Sequence, residues 1–290
     1  MSLVAATGIP SPSEGVWYLG PLPLRAYGII IAIGMVVGVW WTARRYVARG
    51  GSSDTIYDVA LWAIPLGVVG ARLYHVVTSP EAYFGPGGDP MLAFQIWRGG
   101  LGIWGGVALG ALGAYVGVKR AKVRFGPIAD SLAPALLVAQ GIGRWGNWFN
   151  QELYGRPTSV PWGLEIYNRV DDAGKVAPMT GHSTGEVLTV VHPTFLYEML
   201  WNLLICAVLL WVDRRFRMDR GRLFALYVVG YTLGRFWIEL MRSDAATLIL
   251  GLRVNTIVSA VVLLAGVAYL VITRRRGEED TGVTGDTSTV

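Results

Sequence analysis

Long apolar stretches alternate with short polar connections along this chain. Each stretch has about the 20 residues that a helix needs to cross a bilayer core of roughly 30 Å. The seven predicted membrane-spanning helices cover residues 24–43, 56–79, 100–118, 128–148, 194–212, 223–241 and 254–273. The pattern therefore predicts an all-α integral membrane protein with seven transmembrane helices.

The segments outside these helices differ in character. Residues 1–23, with Trp17 and Tyr18 close to several prolines, predict an extracytoplasmic interfacial arm. The polar connection 151–193 separates helices one to four (24–150) from helices five to seven (194–273). It alternates apolar and polar residues over 162–167 and 186–191, which predicts a small extracytoplasmic cap with short strands. The polar end, 274–290, predicts a disordered cytoplasmic tail.

Composition and charge agree with a membrane protein. Apolar residues make up 53% of the chain and charged residues only 16%. Of the 25 Lys and Arg, 15 follow helices one, three, five and seven, and so lie on one side of the membrane if the chain crosses seven times. The positive-inside rule makes that side cytoplasmic, with the N-terminus outside and the C-terminus inside. The net charge of +5 thus reflects topology, and no nucleic acid partner is expected.

Few residues suit metal or redox chemistry. The single Cys206 excludes an internal disulfide and a thiolate cluster. The chain has only three His, so we expect no metal site and no cofactor. Glycines four residues apart, such as Gly102, Gly106 and Gly110, are instead typical of closely packed membrane helices.

Three arginines lie inside predicted spans, where a charge costs at least about 2.5–3.5 kcal/mol. At 1.5 Å per residue, Arg72 and Arg144 lie about 24 Å and Arg235 about 18 Å from the inner face, so all three fall in the outer half. The other arginines outside the cytoplasmic connections, among them Arg169, Arg242 and Arg253, can lie at the outer surface.

Polar neighbours accompany these arginines. Tyr231, Arg235 and Glu239 share one helix face at i, i+4 and i+8, and Glu198 lies near the start of helix five. A buried network that only ties helices together is one interpretation. The other is a ligand site, because the guanidinium fork suits phosphate. A phosphate beside an apolar interior is a phospholipid headgroup, so these residues favour a protein that binds or processes a phospholipid, with the reaction type open.

One motif points to a family. Residues 143–156 read GRWGNWFNQELYGR, which resembles the prolipoprotein diacylglyceryl transferase signature G-R-x-G-N-x-x-N followed by E-L-x-G-R. The segments HPTFLYE (192–198) and Tyr231-x3-Arg235-x3-Glu239 are similar to two further family motifs. RAYG (25–28) and GAR (70–72) occupy the expected places in helices one and two. The resemblance extends over about residues 20–273.

The resemblance implies an activity in lipoprotein maturation. Family members transfer the diacylglyceryl group of phosphatidylglycerol to the lipobox cysteine of a prolipoprotein, forming a thioether and releasing glycerol phosphate. The implied partners are phosphatidylglycerol, the signal peptide and cysteine of the prolipoprotein, and membrane lipids. The implied location is the bacterial plasma membrane, with the active site facing the extracytoplasmic side.

The resemblance also indicates the site residues, with Arg144 and Arg235 as the principal functional pair. Residues expected to act in catalysis are Arg144, Arg235, His192 and Glu152. Residues expected to bind substrate are Tyr27, Arg72, Asn147, Asn150, Gly155, Tyr231, Glu239 and Glu198. Many relatives carry His-Gly-Gly where this chain has Trp104-Gly105-Gly106, and Trp104 cannot accept a proton. The candidates for a base are therefore His192, Glu152 and His75, in that order.

Two other functions fit the arginine-lined site. A phospholipid transporter or scramblase would bind the same headgroup but return the lipid intact, whereas the transferase breaks it. A catalytically inactive membrane scaffold would keep the fold but would not need the polar side chains of the site. The presence of Arg144, Asn147, Glu152, Arg235 and Glu239 argues against the scaffold.

Overall fold

The computed structural model describes residues 8–20, 22–243, 248–249 and 252–274. The helices of this part of the chain are α1 (Ala26–Ala48), α2 (Ser53–Thr78), α3 (Glu81–Phe84), α4 (Ile103–Ala121), α5 (Phe125–Asn150), α6 (Thr194–Phe216), α7 (Arg222–Met241) and α8 (Val254–Arg274). Its strands are β1 (Ile9–Pro10), β2 (Val16–Leu19), β3 (Leu22–Arg25), β4 (Leu164–Val170), β5 (His182–Val191), β6 (Leu248–Ile249) and β7 (Leu252–Arg253). Apart from Arg274, which ends α8, the predicted tail lies outside the described residues.

The helices confirm an integral membrane protein. Six described helices are long and apolar enough to cross a membrane, namely α1, α2, α5, α6, α7 and α8. The helix over the third predicted span is α4, which is not among them. It has 19 residues, but Lys119 and Arg120 occupy its last turn and shorten its apolar part. The seventh crossing and the orientation of the chain stay predictions.

The described residues form two compact units. Unit 1 consists of those within 1–38, 133–218 and 222–278, and unit 2 of those within 39–132 and 219–221. In unit 1, α7 packs against α6 and α8. In unit 2, α2 packs along α4.

A small sheet in unit 1 joins the arm to the polar connection. β1 pairs in parallel with β4, and β4 pairs antiparallel with β5. The alternating segments 162–167 and 186–191 fall largely in β4 and β5. Leu164, Ile166 and Val191 pack against Phe195 and Trp148, so the sheet shares its core with the start of α6 and the end of α5.

Arg169 of β4 is buried, contrary to the expected surface position. It is 1% exposed and donates hydrogen bonds to the carbonyl oxygens of Pro12 (2.6 Å), Phe149 (2.9 Å) and Pro178 (3.2 Å). Burial lowers the pKa of its guanidinium, because the charged form loses water. The residue ties the end of α5 to the arm and to the loop between β4 and β5.

Glycines bring α2 and α4 of unit 2 into close contact. A Cβ atom on Gly105 would lie 2.1 Å from the Gly70 carbonyl oxygen, and one on Gly113 would lie 2.4 Å from that of Trp62. Such distances leave no room for a side chain, so the glycines determine how closely the two helices pack. Of the spaced glycines, Gly102 would place a Cβ atom 2.3 Å from Cδ1 of Tyr74, and Gly106 and Gly110 face α2 at ordinary contact distances of 3.4 and 3.6 Å.

Candidate active site

Glu198 joins the two principal arginines of unit 1. Its Oε2 atom lies 2.7 Å from Nε of Arg144 on α5, and its Oε1 atom lies 3.1 Å from Nη1 of Arg235 on α7. Glu198 itself is on α6, in the first turns that follow the polar connection. Three helices therefore meet at one shared carboxylate, and the structure brings both predicted arginines to it.

A second carboxylate, Glu239, lies on the other side of Arg235. Its oxygens lie 2.9 Å from Nη2 of Arg235, 3.3 Å from Nη1 of Arg242 and 2.8 Å from Nε of Arg253. The Asn255 amide donates a further hydrogen bond of 3.3 Å. Glu239 is fully buried, and these four groups replace the water that its charge has lost.

Three members of this cluster were not predicted as site residues. Arg242 and Arg253 were expected at the outer surface, and Asn255 had no predicted role. Arg242 is buried, and it follows Glu239 by three residues on the same face, a spacing that could have revealed it. Arg253 and Asn255 belong to β7 and α8, beyond the α7 helix, and no local spacing connects them to Glu239.

The asparagines of the motif link Arg144 to Glu152. Arg144 Nη1 donates to Oδ1 of Asn147 (3.3 Å), and Asn147 Nδ2 donates to Oε1 of Glu152 (2.9 Å). Asn150 Nδ2 donates to the same oxygen (3.2 Å). The side-chain amides of Asn147 and Asn150 thus hold the Glu152 carboxylate, which the sequence indicates as a candidate base.

A tight turn after α5 sets the position of Glu152. Its neighbours Gln151 and Leu153 have φ angles of 51° and 56°, in the left-handed region that side chains rarely adopt. Gln151 is held there by the Tyr167 backbone, since its Oε1 accepts from the Tyr167 N–H (2.6 Å) and its Nε2 donates to the Tyr167 carbonyl (3.3 Å). Thr194 donates to the Leu153 carbonyl (2.5 Å). The sheet and α6 together stabilise this strained segment.

Two tyrosines complete the surroundings of Arg144. Tyr231 on α7 lies close to the guanidinium, and Tyr27 on α1 lies near both Arg144 and Glu152. A Cβ atom on Gly146 would lie 2.5 Å from Cδ2 of Tyr27. The motif therefore needs a glycine at 146 to make room for the Tyr27 ring.

His192 lies at the rim of this group of residues. The Gly155 N–H donates to the His192 carbonyl (3.0 Å), and a Cβ atom at 155 would meet the His192 Cβ at 2.7 Å. The imidazole Nδ1 and the Tyr197 hydroxyl are 3.1 Å apart, and Trp162 Nε1 donates to the same hydroxyl (2.9 Å). Within the described residues, no contact joins the imidazole to either principal arginine.

Arg72 belongs to unit 2, and its donors are engaged there by backbone. Its Nε donates to the Ala93 carbonyl (2.9 Å), and its Nη1 donates to those of Gly99 (2.7 Å) and Gly100 (2.8 Å). Its Nη2 donates to the Leu92 carbonyl. Its role in substrate binding stays a prediction.

Two other residues of interest also lie in unit 2. His75 bonds the Tyr83 hydroxyl through Nδ1 (2.9 Å), and Tyr83 is buried. Trp104, in the place of the family histidine, is half-exposed in the first turn of α4.

The exposure of the side chains shows which groups of the unit 1 cluster can meet a ligand. The side chains of Arg144 and Arg235 are 19% and 16% exposed, whereas those of Glu198 and Glu239 are 6% and 0% exposed. The carboxylates thus lie behind the guanidinium groups. Each guanidinium has five N–H donors, so donors remain on the open side. The arrangement suits an anion shared by the two arginines.

Comparisons with known proteins agree with the motifs. The family model described as prolipoprotein diacylglyceryl transferase matches residues 14–272. A phosphatidylglycerol–prolipoprotein diacylglyceryl transferase of Rhodococcus jostii is 59% identical over 274 residues, which cover 94% of this chain and 76% of the relative. The protein of the same name from Corynebacterium glutamicum (strain R) is 57% identical over 279 residues, covering 96% of this chain and 87% of the relative.

Proposed function

Because the chain belongs to the prolipoprotein diacylglyceryl transferase family, we propose that Arg144 and Arg235 hold the phosphate of its lipid substrate. The chain is a bacterial membrane transferase that moves the diacylglyceryl group of phosphatidylglycerol to prolipoproteins. The names of its relatives state this transfer, and they do not favour a transporter or scramblase.

The main support for the proposal is the Glu198 carboxylate, which Arg144 and Arg235 share. Two guanidinium groups from different helices converge on its two oxygens at 2.7 and 3.1 Å. A phosphate diester also offers two unesterified oxygens, so a pair spaced for a carboxylate can bridge them. Asn147, which accepts a hydrogen bond from Arg144, and Tyr231, which lies close to Arg144, supply amide and hydroxyl groups for the other oxygens of the headgroup.

The reaction is a substitution at a glyceryl carbon. The sulfur of the lipobox cysteine attacks the carbon that carries the phosphate, and a C–S bond forms as the C–O bond breaks. The electron pair of that bond leaves with glycerol phosphate, and the thiol proton is released. Charge grows on the departing phosphate, and preorganised guanidinium groups stabilise such charge most strongly where water is scarce.

The same arginines favour the nucleophile. A free thiol has a pKa of about 8.5, which nearby cations lower, so the arginine pair shifts the substrate cysteine toward its thiolate. A strong base is then unnecessary. Where a proton acceptor is needed, His192 and Glu152 are the proposed groups in unit 1, and their hydrogen bonds to Tyr197 and to two asparagines hold them in place.

We place the site on the extracytoplasmic side of the plasma membrane. The support is the distribution of basic residues, 15 of which follow alternate predicted helices. The lipobox cysteine of an exported prolipoprotein would reach Arg144 from that side.

The direct test uses purified protein, phosphatidylglycerol vesicles and a synthetic lipobox peptide. Mass spectrometry of the peptide should show the added diacylglyceryl mass, and glycerol phosphate should appear in equal amount. A peptide with Ser in place of the lipobox Cys is the matched control and should remain unmodified. Intact lipid with an unmodified cysteine peptide would refute the transferase assignment and favour the transporter.

A further inference from the structure

The connection between α2 and α4 in unit 2 folds back along α2. The Gly102 N–H donates to the Ala71 carbonyl at 2.8 Å, so the chain at residue 102 is level with residue 71, seven residues before α2 ends at Thr78. Asp58, exposed near the other end of α2, marks where that helix meets water. Ala71 lies 13 residues beyond Asp58, or about 20 Å at 1.5 Å per residue. That is well short of a hydrocarbon core of roughly 30 Å.

The apolar part of α4 is also shorter than the hydrocarbon core. Lys119 and Arg120 lie in its last turn, and Arg120 stacks over the Trp62 ring of α2 at 5.3 Å. The helix begins only at Ile103, about 26 Å from Arg120 by the same rise per residue. Residues before 103 must therefore cover the rest of any crossing, and they are not α-helical.

Backbone of this kind survives in a membrane only where its polar groups have protein partners. Residues 90–102, here called the re-entrant segment, form two 3₁₀ turns, Pro90–Phe94 and Ile96–Arg98, in which N–H groups bond carbonyls three residues earlier. Positive φ angles at Gly99 and Gly100 then reverse the chain toward α4. The Leu92 carbonyl accepts from the Gln95 N–H at 3.0 Å, whereas other carbonyl oxygens of the segment need donors from outside the turns.

Arg72 supplies those partners. Its guanidinium donates to the carbonyls of Leu92, Ala93, Gly99 and Gly100, which lie on both sides of the turn at Ile96–Arg98. Arg72 is buried, and its guanidinium also lies over the Tyr83 ring at 5.3 Å. A segment in water would find donors in the solvent, whereas this one takes them from a buried charged side chain.

The outer face of the segment is apolar. Its exposed side chains include Met91, Phe94, Trp97 and Leu101, of which Phe94 is 74% exposed. They continue the exposed apolar surface of α4, which starts with Ile103 and Val107. The one charged side chain of the segment, Arg98, is exposed and long enough to extend to the headgroups.

We infer that residues 90–102 are a re-entrant segment embedded in the lipid leaflet around the Thr78 end of α2, where Arg72 replaces water for its backbone and its apolar side chains contact acyl chains. The segment completes the membrane crossing that α4 is too short to make. Arg72 is a positioning residue for this segment.

The depth of the segment can be measured with nitroxide labels. In a Cys206→Ala background, Phe94→Cys carries the label, and the protein is reconstituted in phosphatidylglycerol vesicles. Collisions with oxygen, which dissolves in the acyl region, are compared with collisions with a water-soluble nickel chelate. Glu81→Cys, exposed in α3 of the same connection, is the aqueous control, and Leu112→Cys, exposed on α4, is the membrane control.

We expect the oxygen-to-nickel ratio at position 94 to match that at 112 and to exceed that at 81 severalfold. A ratio at 94 equal to that at 81 would overturn the inference. This measurement keeps Arg72 intact, so it does not depend on a destabilised variant.

The role of Arg72 is tested by adding Arg72→Met to the Phe94→Cys protein. Loss of the four donors should move the label toward the ratio of the aqueous control. An unchanged label depth with a raised KM for phosphatidylglycerol would contradict the positioning role and make Arg72 a headgroup ligand, as the sequence suggested.

Discussion

The two units use intramembrane arginines in different ways. In unit 1, Arg144 and Arg235 face carboxylates, whereas in unit 2 Arg72 faces only backbone carbonyls among its described hydrogen-bond partners. The carboxylates engage only some of the N–H groups of Arg144 and Arg235 and neutralise part of their positive charge. The remaining N–H groups can therefore bind a second anion. The carbonyls take donors from all three nitrogens of Arg72. An arginine inside a membrane span therefore indicates a ligand site only when N–H groups of its guanidinium remain available to a ligand.

The largest loss of activity is expected when a guanidinium is replaced by an ammonium group. Arg144→Lys or Arg235→Lys should lower kcat/KM by roughly 100-fold or more, the scale for losing a preorganised donor to a developing oxyanion. A point charge cannot bridge two oxygens as the planar fork does. Steady-state transfer of label from phosphatidylglycerol to the lipobox peptide measures the loss.

Arg215→Lys is the control for these variants, since Arg215 is exposed near the end of α6. Its activity should stay near that of the unaltered protein. Near-normal activity in both Arg144→Lys and Arg235→Lys would refute the assignment of the arginine pair.

Glu198 tests whether the carboxylate behind the arginines positions them. Glu198→Gln keeps the shape of the side chain but weakens its bonds to both guanidinium groups, so kcat should fall about tenfold, the scale of one charge-assisted hydrogen bond. KM for phosphatidylglycerol should change less or decrease, because one competing negative charge is gone. Separate kcat and KM values distinguish this result from simple loss of folded protein.

Gly146 tests how the packing around Arg144 affects activity. Gly146→Ala brings a methyl group to within 2.5 Å of the Tyr27 ring, which must then move away from Arg144. Overpacking of about 1 kcal/mol corresponds to roughly fivefold in rate. Gly143→Ala meets only the terminal methyl of Ile31, at 3.2 Å, and should cost less activity. Equal losses in the two variants would argue against a role of the Tyr27 position.

The smallest effect is expected in unit 2. Trp104 is half-exposed and has no acidic proton to exchange in the reaction, so Trp104→Ala should change activity by no more than about twofold, the range for a surface substitution. Complete loss of transfer, with normal membrane insertion and lipid binding, would show a catalytic contribution from unit 2 and remove the contrast between the units.

The sequence predicted most of the helices because bilayer thickness imposes a length and a composition that can be counted. It placed the third span at 100–118, whereas α4 covers Ile103–Ala121, because composition does not mark the residue at which a helix begins. The strands β4 and β5 were visible as alternation, but the pairing of β1 with β4 was not, since it joins residues more than 150 positions apart.

The site was predictable where motifs lie on one helix and not where distant segments meet. Tyr231, Arg235 and Glu239 follow helical spacing, and the family motif contains Asn147 and Glu152. The convergence of Arg144 and Arg235 on Glu198 depends on the packing of α5, α6 and α7, which local patterns do not encode. The partners of Arg72 were missed for a related reason, because backbone carbonyls leave no trace in a residue pattern.

The bridging position of Glu198 has a consequence for turnover. Without it, the departure of glycerol phosphate would leave two unpaired guanidinium groups side by side in a medium that solvates them poorly. The glutamate side chain stays bonded to both of them and offsets part of their charge before another lipid arrives. Release of the product therefore removes only the second anion, and the arginines of the empty enzyme remain paired.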